Sequence, residues 1–205
     1  MLGLPKSTEL ARPLPKKAVF EMFKPSTADR KLFDEQINRM TIIAEISPQT
    51  LAVTASAEVA AVYVVHIALK VPDCDKKNIA MLAKLIDQRM LFILQHSTNA
   101  KLATYRAGKV LISDSKPLND WVLPLTGLDL EAIWENTIVQ IGNISRSEGK
   151  DLDTAIIERD CRDKLAKKIE TLEKKTMSEK QPRRKWELAE ELRKMKLELE
   201  DIHNG

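Results

Sequence analysis

Cysteine and histidine are scarce in this chain of 205 residues, and neither occurs in a pattern that binds a metal. The two cysteines, Cys74 and Cys161, are far apart, form no CxxC pair and have no histidine close in sequence. Their spacing argues against a disulfide framework, a zinc site and a thiol nucleophile, and it favours a reducing cytoplasm. We expect His66 to be a hydrogen-bonded strand residue, and we expect neither a metal nor any other cofactor.

Glycine is also rare, and long apolar runs are missing. None of the six glycines lies in a GxGxxG or GxxxxGK pattern, which disfavours nucleotide hydrolysis. The longest apolar run, residues 59–69, contains His66 and is about half as long as the roughly twenty residues of a spanning helix. The first residues include Pro5 and Lys6 where a signal peptide would be apolar. We therefore expect a soluble, cytoplasmic protein with no membrane partner.

The clearest positive signal is an apolar heptad pattern near the C-terminus. One charged segment repeats apolar residues every four or three positions: Leu188, Leu192, Met195, Leu199 and Ile202. A second segment does so upstream: Leu165, Ile169 and Leu172. Pro182 lies between them and cannot continue a helix from the preceding turn. Residues 146–205 are therefore predicted to form a charged, antiparallel helical hairpin held together by these eight side chains.

Residues 1–145 are predicted to form an α+β domain, with a mixed or antiparallel sheet flanked by helices. Four helices are predicted: at residues 16–23, from Ser26 or Thr27 through Met40, from Asp75 or Asn78 through Ile86, and at residues 128–141 with Gly142 ending the last. Strands are predicted at residues 41–47, 58–70, 90–95, 101–106 and 109–113.

Local signals connect these elements. The valine-rich run at 58–70 is typical of a central strand covered on both faces. Ala107-Gly108 indicates a tight hairpin turn, and the polar residues 145–150 indicate a linker before the C-terminal hairpin.

The sequence contains part of one enzymatic pattern, that of a nuclease. Its active site would need paired acids and a lysine around a central strand, because the acids hold a divalent metal and the lysine assists the attacking water. Lys70 ends the predicted strand, but Ala68 stands where the metal-binding acid of the carboxylate-x-Lys step would be. Asp73 and Asp75 follow Pro72 and are better placed to cap the next helix. The pattern therefore disfavours catalysis.

Basic residues cluster around the predicted bend of the hairpin. The cluster consists of Lys174, Lys175, Lys180, Arg183, Arg184 and Lys185. Its plain interpretation is a solvated loop whose charges keep the tip soluble. Its functional interpretation is a tip that contacts phosphates, since clustered Lys and Arg release counterions from a nucleic acid. Trp186 could stack on a base there, although closing the end of the hairpin is the favoured interpretation.

Four segments carry a resemblance to a known family: Leu14-Pro15-Lys16-Lys17, Ile46-Ser47-Pro48, Gly127-Leu128-Asp129-Leu130 with Trp134-Glu135, and Glu179-Lys180-Gln181-Pro182. Through them nearly the whole chain resembles an uncharacterised bacterial family, domain of unknown function number 4391. The resemblance implies that the gene lies beside helicases and DNA methyltransferases in restriction-type, anti-phage loci. It supplies no catalytic residues.

Three functions remain open from the sequence. The leading one is a non-catalytic interaction subunit that docks on a helicase, methyltransferase or nuclease. The second is a nucleic-acid-binding adaptor that uses the basic tip. The third is a degenerate nuclease. Co-purification from native cells separates the first from the other two.

Overall fold

A computed structural model describes residues 2–144 and 151–204, with side chains described through residue 199. The chain forms two compact units, Met1–Ser145 and Arg146–Gly205. The predicted linker at residues 145–150 lies outside the described residues. Within the described ranges, no helix is long and apolar enough to cross a membrane.

The first unit contains seven strands and four α-helices. In chain order they are β1 (Glu9–Pro13), α1 (Lys16–Phe23), α2 (Thr27–Gln36), β2 (Ile37–Ile46), β3 (Val62–Leu69), α3 (Lys76–Leu82), β4 (Arg89–His96), β5 (Asn99–Arg106), β6 (Lys109–Ile112), β7 (Lys116–Pro117) and α4 (Leu130–Gly142). The second unit consists of α5 (Leu152–Ser178) and α6 (Pro182–Asn204).

The sheet is mixed, with strand order β1-β2-β3-β4-β5-β6 and β7 paired to β5. Only β3 and β4 run parallel among these pairs, because α3 provides the crossover that a parallel connection requires. The other neighbours are antiparallel. With the α5–α6 hairpin, this arrangement confirms the predicted α+β class. The valine-rich run is the central strand β3, which is four residues shorter at its start than predicted.

The main core of the first unit lies between α1, α2, α3 and one face of the sheet. Phe33 of α2 is fully buried and meets the ring of Phe20 edge-on at a centroid distance of 5.3 Å. Ile67 of β3 and Phe92 of β4 are also fully buried in the same apolar cluster. This core holds the sheet and its helices together through the apolar area that it removes from water.

The prediction that α2 continues through Met40 is wrong. The helix begins at the predicted Ser26 cap, whose hydroxyl accepts the N–H of Asp29, but it ends at Gln36. Ile37 is extended and pairs with Leu69 of β3, so Ile37 and Met40 are core residues of β2. Pairing with β3 therefore overrides the helical spacing of these apolar side chains.

The third and fourth helices also differ from their predicted bounds. The third ends at Leu82 rather than Ile86. The N–H of Lys84 donates to the carbonyl of Met81 and the N–H of Leu85 to that of Leu82, and these tighter hydrogen bonds turn the chain out of the helix. The fourth starts only after Asp129, whose carboxylate accepts the N–H of Ala132.

α4 ends at Gly142, one residue beyond the predicted last helical residue, Ile141, and the residue after its last turn is not a glycine. Gly142 is still helical, and Asn143 adopts the left-handed conformation at a φ of 46°. Asparagine tolerates this conformation better than most residues, so it can replace glycine after the helix end.

Two hairpin turns connect strands of the first unit, and the predicted turn at Ala107-Gly108 is one of them. Ser97 and Thr98 connect β4 to β5, and Ala107-Gly108 connects β5 to β6. Ala107 and Gly108 have φ values of 50° and 74°, and two successive positive φ angles are the signature of a type I′ turn.

Candidate nucleic-acid interface

The bend between α5 and α6 is built around one carboxylate. The Glu179 side chain accepts the backbone N–H groups of Lys180 at 2.9 Å and Gln181 at 3.0 Å. Pro182 then begins α6, where its missing N–H costs nothing. The N–H of Gln181 is the largest cause of a lowered pKa at Glu179, and the Lys180 N–H and the Arg184 charge act in the same direction. Glu179 therefore stays ionised and holds the bend.

The two helices pack along the predicted seam. Leu165, Ile169 and Leu172 of α5 are buried. Their counterparts on α6 are half-buried: Leu188, Leu192, Met195 and Leu199. An ion pair of 2.7 Å between Glu173 and Lys196 links the helices at the side of this seam. The side chain of Ile202 lies outside the described residues.

A basic groove runs along one side of the hairpin, with a volume of about 320 Å³. Leu172 and Met195 contribute apolar lining, and the remaining lining comes from a single face of α5: Lys167, Lys168, Thr171 and Lys175. Lys167, Thr171 and Lys175 are spaced four residues apart, which aligns them on successive turns. The three lysines are exposed, and none forms an ion pair within the part of the chain that the structure describes. The groove therefore presents three free ammonium groups to the solvent.

Three residues of the predicted basic cluster are already paired with acids. Lys174 contacts Glu170 at 2.6 Å, and this hydrogen bond raises the pKa of Lys174. Arg183 lies 3.4 Å from Glu187.

The third paired residue of the predicted basic cluster is Arg184, which lies 3.6 Å from Glu179. The other three members, Lys175, Lys180 and Lys185, are exposed and have no ion-pair partner among the described residues. Of the whole predicted cluster, only Lys175 lines the basic groove.

Sequence reasoning missed Lys167 and Lys168. The available signal was their position on the predicted helix, where Lys167 and Lys175 are eight residues apart and therefore lie on one face with Thr171 between them. The charge distribution supports their inclusion. Residues 164–185 hold nine Lys and Arg against three Glu, a surplus of six positive charges. The rest of the chain then has a formal net charge of −3, against +3 for the whole. The surplus of positive charge is therefore concentrated on residues 164–185, around the bend, and does not extend over the whole hairpin.

The favoured interpretation of Trp186, that it closes the end of the hairpin, is wrong. Its side chain is 67% exposed. It precedes Met195 by nine residues, and at about 100° per residue the two side chains point to opposite faces of α6. Because Met195 lines the basic groove, Trp186 lies away from it.

A second cleft, of about 630 Å³, lies in the first unit near the start of β4. Its charged lining has both signs, since Arg89 lies 3.9 Å from Glu58, and the ammonium of Lys84 lies over the ring of Tyr105. Within the described residues, no group of three or more His, Cys, Asp and Glu side chains could hold a metal ion. The charged lining of the cleft therefore does not favour a ligand of one sign, whereas the basic groove favours an anion.

The residues considered for a nuclease site have structural partners instead. The Lys70 ammonium donates to the backbone carbonyl of Asp34 at 2.6 Å. Asp73 pairs with Lys101, whose hydrogen bond and charge lower the pKa of Asp73. Asp75 caps α3 by accepting the N–H of Lys77, as its position after Pro72 predicted.

The histidine of β3 and the two cysteines lie in three different environments. His66 is hydrogen-bonded to Gln95 across β3 and β4, with 2.6 Å between Nε2 and Oε1, which confirms the expectation of a structural strand histidine. Burial raises the pKa of the Cys74 thiol to about 12, so this thiol is protonated at neutral pH. Cys161 is exposed and unpaired by any disulfide.

Comparison with known proteins places the chain in one family. No curated protein matches, and no solved structure matches. A family model described as a domain of unknown function, DUF4391, matches residues 2–199. The match covers both units almost entirely. The chain therefore belongs to the DUF4391 family.

Proposed function

We propose that this chain is a non-catalytic accessory subunit that binds the phosphate backbone of a nucleic acid through the basic groove. The observation that carries the proposal is a row of exposed lysines on α5 that have no ion-pair partner among the described residues: Lys167, Lys168 and Lys175. Each ammonium that meets a phosphate releases condensed counterions, and this release drives binding without any base contact.

The dimensions of the groove suit a strand of nucleic acid. Lys167 and Lys175 are eight residues apart, or about 12 Å along the helix axis. One strand of a duplex presents about three or four phosphates over that length. Lys180 and Lys185 extend the positive surface beyond the bend. Lysines that contact phosphates position a protein without reading bases, so we expect binding that is independent of sequence.

The test is a salt titration of DNA binding by a triple variant, Lys167→Gln, Lys168→Gln and Lys175→Gln. Each phosphate contact contributes about 0.9 to the slope of log K against log salt, so the slope should fall by about 2.7. The matched control removes three exposed lysines of the first unit, Lys17, Lys31 and Lys76, and leaves the groove intact.

The control variant has the same net charge as the groove variant, so any general effect of charge appears in both. We expect its slope to stay close to that of the unaltered protein. Equal losses in the two variants, or no DNA binding by the unaltered protein, would remove the groove as a nucleic-acid site.

A second proposed function, docking on a protein partner, is favoured by one segment of the first unit. Residues 122–128 are fastened to α4, because Gln140 donates to the carbonyl of Val122 and Asn136 donates to that of Thr126. This fixed segment leaves Leu128 96% exposed and Val122 58% exposed. Apolar side chains held rigidly in solvent are suited to burial by another protein.

We propose that the partner is a helicase, methyltransferase or nuclease, the classes that the family resemblance implies. Leu128→Ser with Val122→Ser should abolish co-purification of such a partner from native cells. Met22→Ser is the control, since Met22 is 57% exposed on α1 and lies outside the segment. Retention of the partner by the double variant would exclude this docking surface.

A further inference from the structure

The α6 helix has an exposed stripe on the side opposite the seam that packs on α5. Trp186 and Leu197 are 67% and 53% exposed, and they lie eleven residues, or about three turns, apart on the same face. Glu190 and Arg193 lie between them, and the four positions step by four, three and four residues, which is the spacing of a coiled-coil contact. We call these four residues the outer face of α6. Trp186, Arg193 and Leu197 of this face are exposed, and Glu190 is partly buried.

The charges of α6 alternate in blocks along the helix. Arg183, Arg184 and Lys185 are followed by Glu187, Glu190 and Glu191. A second basic block follows, Arg193, Lys194 and Lys196, and then a second acidic block, Glu198, Glu200 and Asp201. From the N-terminal end the blocks are basic, acidic, basic and acidic. From the C-terminal end their order is acidic, basic, acidic and basic.

We infer that the outer face of α6 pairs antiparallel with the same face of a second copy of this chain. When Trp186 of one copy lies opposite Leu197 of the other, Glu190 of each copy lies opposite Arg193 of its partner. The contact has two-fold symmetry about a point between Glu191 and Leu192, as an isologous dimer interface requires.

The charge pattern selects both the occupant and its direction. A parallel copy would set each block against a block of the same sign, which is unfavourable across a helical interface. An antiparallel copy sets Glu190 against Arg193 twice, once on each side of the two-fold axis, and it covers both exposed apolar side chains, Trp186 and Leu197. The basic groove lies on the other side of α6 from Trp186, so this contact is independent of the proposed nucleic-acid binding.

The first test measures the association of the full chain, freed of nucleic acid, by sedimentation velocity over a wide range of concentration. The unaltered protein should form a dimer, and Trp186→Asp should raise its dissociation constant about tenfold or more. Met177→Asp is the matched control, because Met177 is 81% exposed but lies on α5. An unaltered protein that remains monomeric, or a dimer that Trp186→Asp leaves intact, would overturn the inference.

The second test uses charge reversal to distinguish pairing between copies from effects within one helix. Arg193→Glu and Glu190→Arg should each weaken the homodimer, because each puts like charges opposite one another. Mixing the two variants should restore association, since every contact between the two different copies is again between opposite charges. The intrahelical contacts stay altered in the mixture, so helix stability alone would not produce this recovery. A mixture that associates no better than its components would overturn the inference.

Discussion

Phe92→Ala is expected to remove a large part of the stability of the first unit. Phe92 is fully buried in the middle of the sheet, where β4 pairs it with Val65 of β3 on one side and Ala103 of β5 on the other. Truncating a buried phenylalanine loses its transfer free energy and leaves a cavity, at a cost of about 3–5 kcal/mol. Domains of this size are stable by only about 5–15 kcal/mol. Urea unfolding followed by the fluorescence of the buried Trp121 and Trp134 would measure the loss.

The control for Phe92→Ala is Leu128→Ala, which truncates a 96% exposed side chain. We expect it to change the free energy of unfolding by less than about 0.5 kcal/mol. If Phe92→Ala gives too little folded protein, Ile67→Val in the same cluster should cost about 0.5–1.5 kcal/mol. A free energy of unfolding unchanged by Phe92→Ala would show that the central sheet is not the core of this unit.

Leu172→Asp should disrupt the hairpin while the first unit stays folded. Leu172 is 9% exposed and lies beside Met195, between the two helices. A carboxylate there loses the apolar contact, worth roughly 2–5 kcal/mol for truncation alone, and adds the cost of a poorly solvated charge. Separated amphipathic helices are barely stable in water, so both helices should lose structure near the bend. Hydrogen exchange should show loss of amide protection in α5 and α6.

Met177→Asp is the control for this prediction, because Met177 is five residues further along α5 and 81% exposed. It should leave the exchange of both helices unchanged. The amides of β3, β4 and β5 should remain protected in both variants. Loss of protection throughout the chain with Leu172→Asp would contradict our prediction that Met1–Ser145 and Arg146–Gly205 fold independently.

Features specified by neighbouring residues could be predicted from the sequence. Pro182 lacks an N–H, so a helix can begin there but cannot pass through it, and α6 does begin at that residue. Ala107-Gly108 was predicted as a turn, and both residues have positive φ angles. The start of α2 at its Ser26 cap was predicted for the same reason, because a side chain and a backbone N–H three residues away determine it.

Features that depend on distant segments were predicted less well. Ile37 and Met40 continue the apolar spacing of α2, yet they belong to β2, because Leu69 and its neighbours offer strand pairing far along the chain. The basic cluster was identified at the bend, but ion pairs occupy half of it, and the free lysines extend back along α5 to Lys167. Which charges are paired depends on side-chain geometry that a linear pattern does not contain.

The sequence alone determined the class of the fold and the presence of the hairpin, because periodicity and proline act locally. Only the tertiary structure decided which charged and apolar side chains remain exposed. On α6 it buries one apolar stripe against α5 and leaves Trp186 and Leu197 in solvent. On α5 it opens the basic groove beside Leu172. Exposure depends on what packs against a helix, and that partner is set by the folded chain rather than by the residues next to it in sequence.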